Sequence, residues 1–150
     1  MTTAIHRAVE AAQRSANPSV IARLPSGWVV MAEKQVVRGY CLLLPDPVVP
    51  DLNALDNESR ANFLRDMAIV GDALLEVTGA ARINYEILGN LEPALHAHVL
   101  PRYPDEPEET RTKPVWFKTF DAAPAFDPER DATLMRAIAT ALRKLGARIE

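Results

Sequence analysis

Residues 57–78 constrain the fold more than any other stretch of this chain. Phe63, Leu64, Met67, Val70, Leu74 and Leu75 recur there at helical spacing, so one long apolar stripe must be buried against a partner layer. Asp56 can cap the first turn, and Gly79 supplies the residue past the last one. Short apolar or β-branched runs flank this helix at 19–24, 28–33 and 39–44 on one side and at 82–88 and 95–103 on the other. Two more helices are predicted. Residues 4–15 carry Ile5, Ala8, Val9 and Ala12 on one face and stop at Asn17-Pro18. Residues 128–145 place Pro128 at the first helical position, after Asp127, with Leu134, Met135, Ile138, Leu142 and Leu145 as the stripe. Strands that come in groups, rather than alternating singly with helices, argue for an α+β fold with an antiparallel sheet of about five strands.

The chain is 150 residues long and 48% apolar, which fits a single domain over 1–150 able to bury a core without disulfides. Cys41 is the only cysteine; in the run Cys41-Leu42-Leu43-Leu44 it is expected to be a buried, inert thiol. Seventeen basic residues against twenty acidic ones leave a net charge of −3, which speaks against a broad nucleic-acid-binding surface. There is no signal-peptide pattern at Met1 to Glu10 and no apolar run near the ~20 residues that span a bilayer, so a cytoplasmic protein without membrane contact is expected. Twelve prolines punctuate the chain, nine of them clustered at 45–50 and 101–128, and the second stretch is expected to be a long irregular segment. Its acidic piece, Asp105 to Glu109, is expected to be solvated, as are Arg102 and Lys113 unless they meet a phosphate.

The chemistry concentrates in Ala94-Leu95-His96-Ala97-His98-Val99-Leu100-Pro101-Arg102. On a strand His96 and His98 share one face, while Leu95, Ala97 and Val99 enter the core from the other. By pattern alone the pair admits three readings. The rings could merely finish a sheet edge, or they could be two ligands of a metal whose third ligand is elsewhere. In the third reading one imidazole attacks an electrophilic phosphorus while the other steadies the charge that develops.

Leu95 to Arg102 resembles the signature of the histidine-triad (HIT) superfamily, in which histidines alternate with apolar residues as His-φ-His-φ-His-φ-φ. The resemblance extends over roughly 19–118. Trp28-Val29-Val30 through Gly39-Tyr40-Cys41-Leu42-Leu43-Leu44-Pro45 is similar to the family's first hairpin, helix 57–78 to its main helix, and Arg82 to Asn90 to the strand and phosphate-side loop before the histidines. What the resemblance implies is a HIT-like fold and a nucleotide phosphohydrolase or nucleotidyl transferase. It would act at an α-phosphorus of a dinucleoside polyphosphate, a nucleoside phosphoramidate or an adenylylated compound, through a nucleotidyl-histidine intermediate. His96 takes the nucleophile's place and His98 that of the last triad histidine. Asn84 resembles an amide that touches phosphate, although an amide satisfying a strand end would look the same. Gly89 would let the phosphate loop approach its ligand, and Asn90 would line that loop or simply turn it. The ribose-side residue maps to Ala32, or to Glu33 if the register slips by one. A homodimer is implied, and no metal or other cofactor, because imidazole stands in for metal-activated water. Trp116 is expected to be a packing anchor rather than a platform for a base.

Two positions depart from the family pattern. The first triad histidine is Ala94, and the histidine that often ends the glycine-bearing turn is Tyr40. A missing polar group at 94 favours the rival reading, a nucleotide-binding protein with little turnover. If that group limits the rate, Ala94→His is expected to raise turnover roughly tenfold, about 1.4 kcal/mol.

Overall fold

The computed structural model describes residues 2–149. Five antiparallel strands form one sheet: β1 (Val20–Leu24), β2 (Gly27–Met31), β3 (Cys41–Pro45), β4 (Arg82–Glu86) and β5 (Ala97–Arg102), in spatial order β1-β2-β3-β5-β4. Four helices accompany them: α1 (Ala4–Gln13), α2 (Asn57–Thr78), the short α3 (Glu108–Arg111) and α4 (Ala132–Lys144). The architecture is the α+β fold the element order implies. Among the described residues no helix is long and apolar enough to cross a membrane.

Strand alternation decides which layer covers which face. Val29, Met31, Cys41, Leu43, Ala97 and Val99 point to one side and meet Phe63, Val70 and Leu74 of α2 and Leu134, Ile138 and Leu142 of α4. Each Val, Leu, Ile, Phe or Met among them, once buried, contributes roughly 1.5–3 kcal/mol. Cys41 is fully buried here, and that burial pushes its thiol up to about 12, so it stays protonated as expected. The opposite face is covered at two ends only. Val30 and Leu44 pack under Ile5 and Val9 of α1, whereas Ala32, Tyr40 and Leu100 pack under Val115. His98 pairs with Leu42 across β3 and with Glu86 across β4, which puts it on this second face, between the two small clusters.

The long helix begins and ends where its caps dictate. The Asp56 carboxylate accepts from the Ser59 N–H at 2.8 Å, and Gly79 takes the left-handed conformation at φ 68°. Leu64 and Leu75, predicted in its stripe, lie at the margin and are exposed. Other expectations shift as well, most strands and α1 by one or two residues at their ends. Helix α4 starts at Ala132 rather than 128, because the Asp127 carboxylate accepts from the N–H groups of Glu129 and Arg130 and holds 127–130 as a separate turn. Strand β5 starts at Ala97, since the Leu95 N–H is taken by the carbonyl of Val49. Residues 103–126 are more ordered than a proline-rich loop suggests: they hold α3, a 3₁₀ turn at Val115–Phe117 and a bridge between Lys34 and Ala125.

That order comes from Arg102, which is buried rather than solvated. Its guanidinium donates to the Glu106 carboxylate, to the Asn84 Oδ1 at 2.8 Å, and to the carbonyls of Thr110, Arg111 and Lys113. Glu106, at the centre of the acidic piece, is buried between Arg102 and Lys118, at 3.1 and 2.8 Å. One cation on the sheet thus fastens the backbone of the loop that follows it.

Candidate active site

His96 and His98 face one cavity of about 370 Å³, as the two-residue alternation requires, with ring centroids 4.8 Å apart in an edge-on arrangement. Tyr40, Leu88 to Glu92 and Trp116 complete its walls. Each histidine is 8% exposed, so the hydrogen bond each ring makes decides its chemistry.

The Nδ1 of His96 lies 2.7 Å from the carbonyl oxygen of Ala94. A carbonyl can only accept, so Nδ1 carries the proton and the neutral ring keeps its lone pair on Nε2. The backbone at position 94 therefore selects the tautomer with its lone pair on Nε2 without any side chain. The Ala94 side chain itself is fully buried against Ile5, Val9, Val30 and Leu44, beneath α1.

His98 is held from the other side. Its Nδ1 is 2.6 Å from the Tyr40 hydroxyl, which is buried and has no other hydrogen-bond partner among the described residues. Burial, with smaller contributions from Glu86 and Cys41, raises the phenol well above its ordinary range, so the hydroxyl keeps its proton. A buried phenolic proton needs an acceptor, and the one it has is Nδ1. His98 then presents Nε2–H as a donor. Burial first, and the neighbouring His96 second, hold the His98 pKa down at about 4, so this donor is neutral at pH 7.

Trp116 stands edge-on to His98 at 5.1 Å and stacks on Phe120 at 5.5 Å. Its indole N–H donates to Glu86, the residue opposite His98 on β4. At 42% exposure it is a wall of the cavity rather than a buried packing anchor. Its signal in the sequence was only an aromatic pair, Trp116-Phe117, inside a proline-rich stretch.

The remaining predicted site residues divide. Gly89 and Asn90 line the cavity, and Gly89 adopts φ 73°, a backbone conformation that favours glycine. Glu92 closes the same loop and accepts from the Ala4 N–H, tying it to the start of α1. Asn84 does not border the histidines. It lies two residues further along β4, with its Oδ1 held by Arg102, on the wall of a neighbouring cavity with Arg82 and Lys113. Glu33 is exposed past the end of β2, its carbonyl accepting from Phe126, and it lines no part of the histidine cavity. Ala32 is buried against Tyr40 and Leu100.

Comparison with known proteins agrees with this geometry. The HIT domain model matches residues 13–105, well over half of the chain. A histidine triad protein from Marinobacter aquaeolei VT8 superposes with a TM-score of 0.72 at 22% identity, covering 84% of this chain and 89% of that one. A histidine triad protein from Bradyrhizobium japonicum gives 0.67 at 28% identity, covering 83% and 87%. A hypothetical histidine triad nucleotide-binding protein from Sulfolobus tokodaii gives 0.73 at 15% identity, covering 93% of each chain. No curated protein matches the sequence. Domain match, sheet order and paired histidines agree: the chain belongs to the HIT family.

Proposed function

We propose that this protein hydrolyses or transfers nucleotidyl groups at an α-phosphorus, with His96 as the nucleophile. The observation that carries the reading is the bond from His96 Nδ1 to the Ala94 carbonyl, which leaves Nε2 unprotonated in the neutral ring. The Nε2 lone pair attacks the α-phosphorus; a P–N bond forms as the bond to the leaving group breaks, and the leaving group departs with the electron pair and takes a proton from water. The positive charge that this places on the imidazole is stabilised by the same Ala94 carbonyl. Water then attacks phosphorus, the P–N pair returns to Nε2, and the nucleotide leaves; an alcohol or amine in place of water gives transfer. His98, as a neutral Nε2–H donor, stabilises the charge on the non-bridging oxygens. Gly89 and Asn90 belong to the loop that would pass along the phosphate. Family membership also supports a homodimer, which light scattering after size exclusion tests.

Nucleotide binding is what the Sulfolobus neighbour's name says of that protein, and the cavity here suits a ligand of that class. The test is mass spectrometry of quenched reactions with a nucleoside phosphoramidate. The wild type is expected to carry a nucleotidyl adduct. His96→Gly should bind a mononucleotide yet form no adduct, and His98→Ala should form it slowly. Turnover by the wild type with no adduct ever trapped would mean direct attack by water. Binding with no turnover at all would leave a nucleotide-binding protein, and zinc or iron held stoichiometrically by the two histidines would leave a metal module.

A further inference from the structure

Next to the histidine cavity, on the same face of the sheet, lies a second cavity of about 370 Å³ with a different character. Arg82, Arg102, Arg111 and Lys113 stand on its walls, with the Thr112 hydroxyl group, and no acidic residue does. In a chain of net charge −3, that is a local concentration of positive charge. Of the four, Arg102 is neutralised by Glu106; Arg82, Arg111 and Lys113 have no ion pair among the described residues, the Lys113 ammonium lying 5.4 Å from the centroid of the Phe117 ring, and the loop's exposed acids, Asp105, Glu108 and Glu109, form no part of these walls. Cations that share the walls of one cavity without ion-pair partners repel one another, and a bound anion lowers that repulsion.

The cavity is also held in shape before anything binds. Arg102 pins the carbonyls of Thr110, Arg111 and Lys113, so the backbone carrying two of the free cations is fastened to β5. Pre-ordering of this kind lowers the entropic cost of binding. Two guanidinium forks and an ammonium suit the tetrahedral oxygens of phosphate better than a single carboxylate. The segment that supplies Lys113 supplies Trp116 three residues later, so one short loop walls both cavities.

We propose that this cavity is a second anion site, which takes a phosphate or polyphosphate group. Two sources have the same chemistry. One is the distal phosphate portion of a substrate whose α-phosphorus lies at His96, a source that rests on the function proposed above. The other is a separate phosphate compound. Along β4 the spacing from Glu86, opposite His98, to Arg82, opposite Arg102, is about 13 Å, so a substrate must carry a long polyphosphate bridge to reach both.

The probe is inorganic tripolyphosphate, titrated calorimetrically into the wild type and into the double variant Arg82→Gln/Arg111→Gln, with circular dichroism confirming that the exposed substitutions keep the fold. The wild type is expected to bind with an affinity that falls as salt rises, and the double variant to bind at least tenfold more weakly. No binding by the wild type, or equal binding by both, overturns the proposal. Steady-state kinetics then separates the sources. A KM raised in the double variant for a dinucleoside polyphosphate, but unchanged for a nucleoside phosphoramidate, identifies the substrate's own tail. Unchanged KM values beside lost tripolyphosphate binding identify a separate anion. Because the titration needs no turnover, it stands even where His96 forms no adduct.

Discussion

Removing one oxygen, by Tyr40→Phe, isolates what the phenol does for His98. The ring of the new side chain keeps its packing against Ala32, Leu100 and Val115, and only the hydroxyl 2.6 Å from Nδ1 is lost. His98 is 8% exposed, so water does not replace it, and an unpaired buried acceptor costs about 1–3 kcal/mol. Moving the proton to Nδ1 gives no relief, because no acceptor faces it; the move also strips Nε2 of the hydrogen with which it would stabilise phosphate oxygens. The variant is therefore expected to unfold in urea with about 1–3 kcal/mol less stability. Its turnover of a nucleoside phosphoramidate should fall roughly tenfold in kcat with little change in KM, the signature of an interaction stronger in the transition state. Nitrogen NMR of the ring reads the tautomer directly, and Tyr40→His should restore part of both losses. Full stability, together with an unchanged Nε2–H tautomer and unchanged kcat in Tyr40→Phe, would refute the assignment.

Two further outcomes are expected. The His98 pKa is about 4 when folded against an ordinary 6.5, so between those values the unfolded chain binds a proton that the native one does not. The stability involved is whole above about pH 6.5 and falls as pH drops toward 4, by up to about 3 kcal/mol; urea unfolding at several pH values should show a steeper acid loss in the wild type than in His98→Gln. Ala94→His, which the motif alone marks as a gain of function, should instead destabilise by about 1–3 kcal/mol without raising turnover, because the methyl group is fully buried beneath α1; a tenfold rise in kcat with full stability would show that α1 yields.

Much of this molecule is legible in the sequence, for local reasons. The spacing of Phe63, Met67, Val70 and Leu74 and the caps at Asp56 and Gly79 are short-range signals, and α2 obeys them. His96 and His98 face one cavity because alternation along an extended chain needs no tertiary information. What escaped depends on partners far away or on backbone atoms. Arg102 and Glu106 read as solvated charges, since nothing in charge density shows that the two bury each other. Asn84 reads as part of the histidine site, whereas its oxygen is held by Arg102 and the residue walls the neighbouring cavity. The first triad position reads as a loss because patterns record side chains, whereas the group that orients His96 is a carbonyl. Register puts Ala32, or Glu33 after a one-residue slip, near the ribose, but β2 ends at Met31, leaving Ala32 buried and Glu33 in solvent.

The way Arg102 holds its loop bears on how this protein can vary. It grips residues 110, 111 and 113 by their carbonyl oxygens, which every amino acid possesses. The anchor is blind to the identity of what it holds. Saturation mutagenesis scored on folding alone should find positions 111 and 113 permissive and position 102 unforgiving, even to lysine, which cannot reproduce the fork. Of the three residues held, only Thr110 ties its side chain into a hydrogen bond with another described residue, accepting from the Lys118 ammonium at 2.9 Å, so the charges at 111 and 113 can be rewritten at little structural cost while the scaffold stands still.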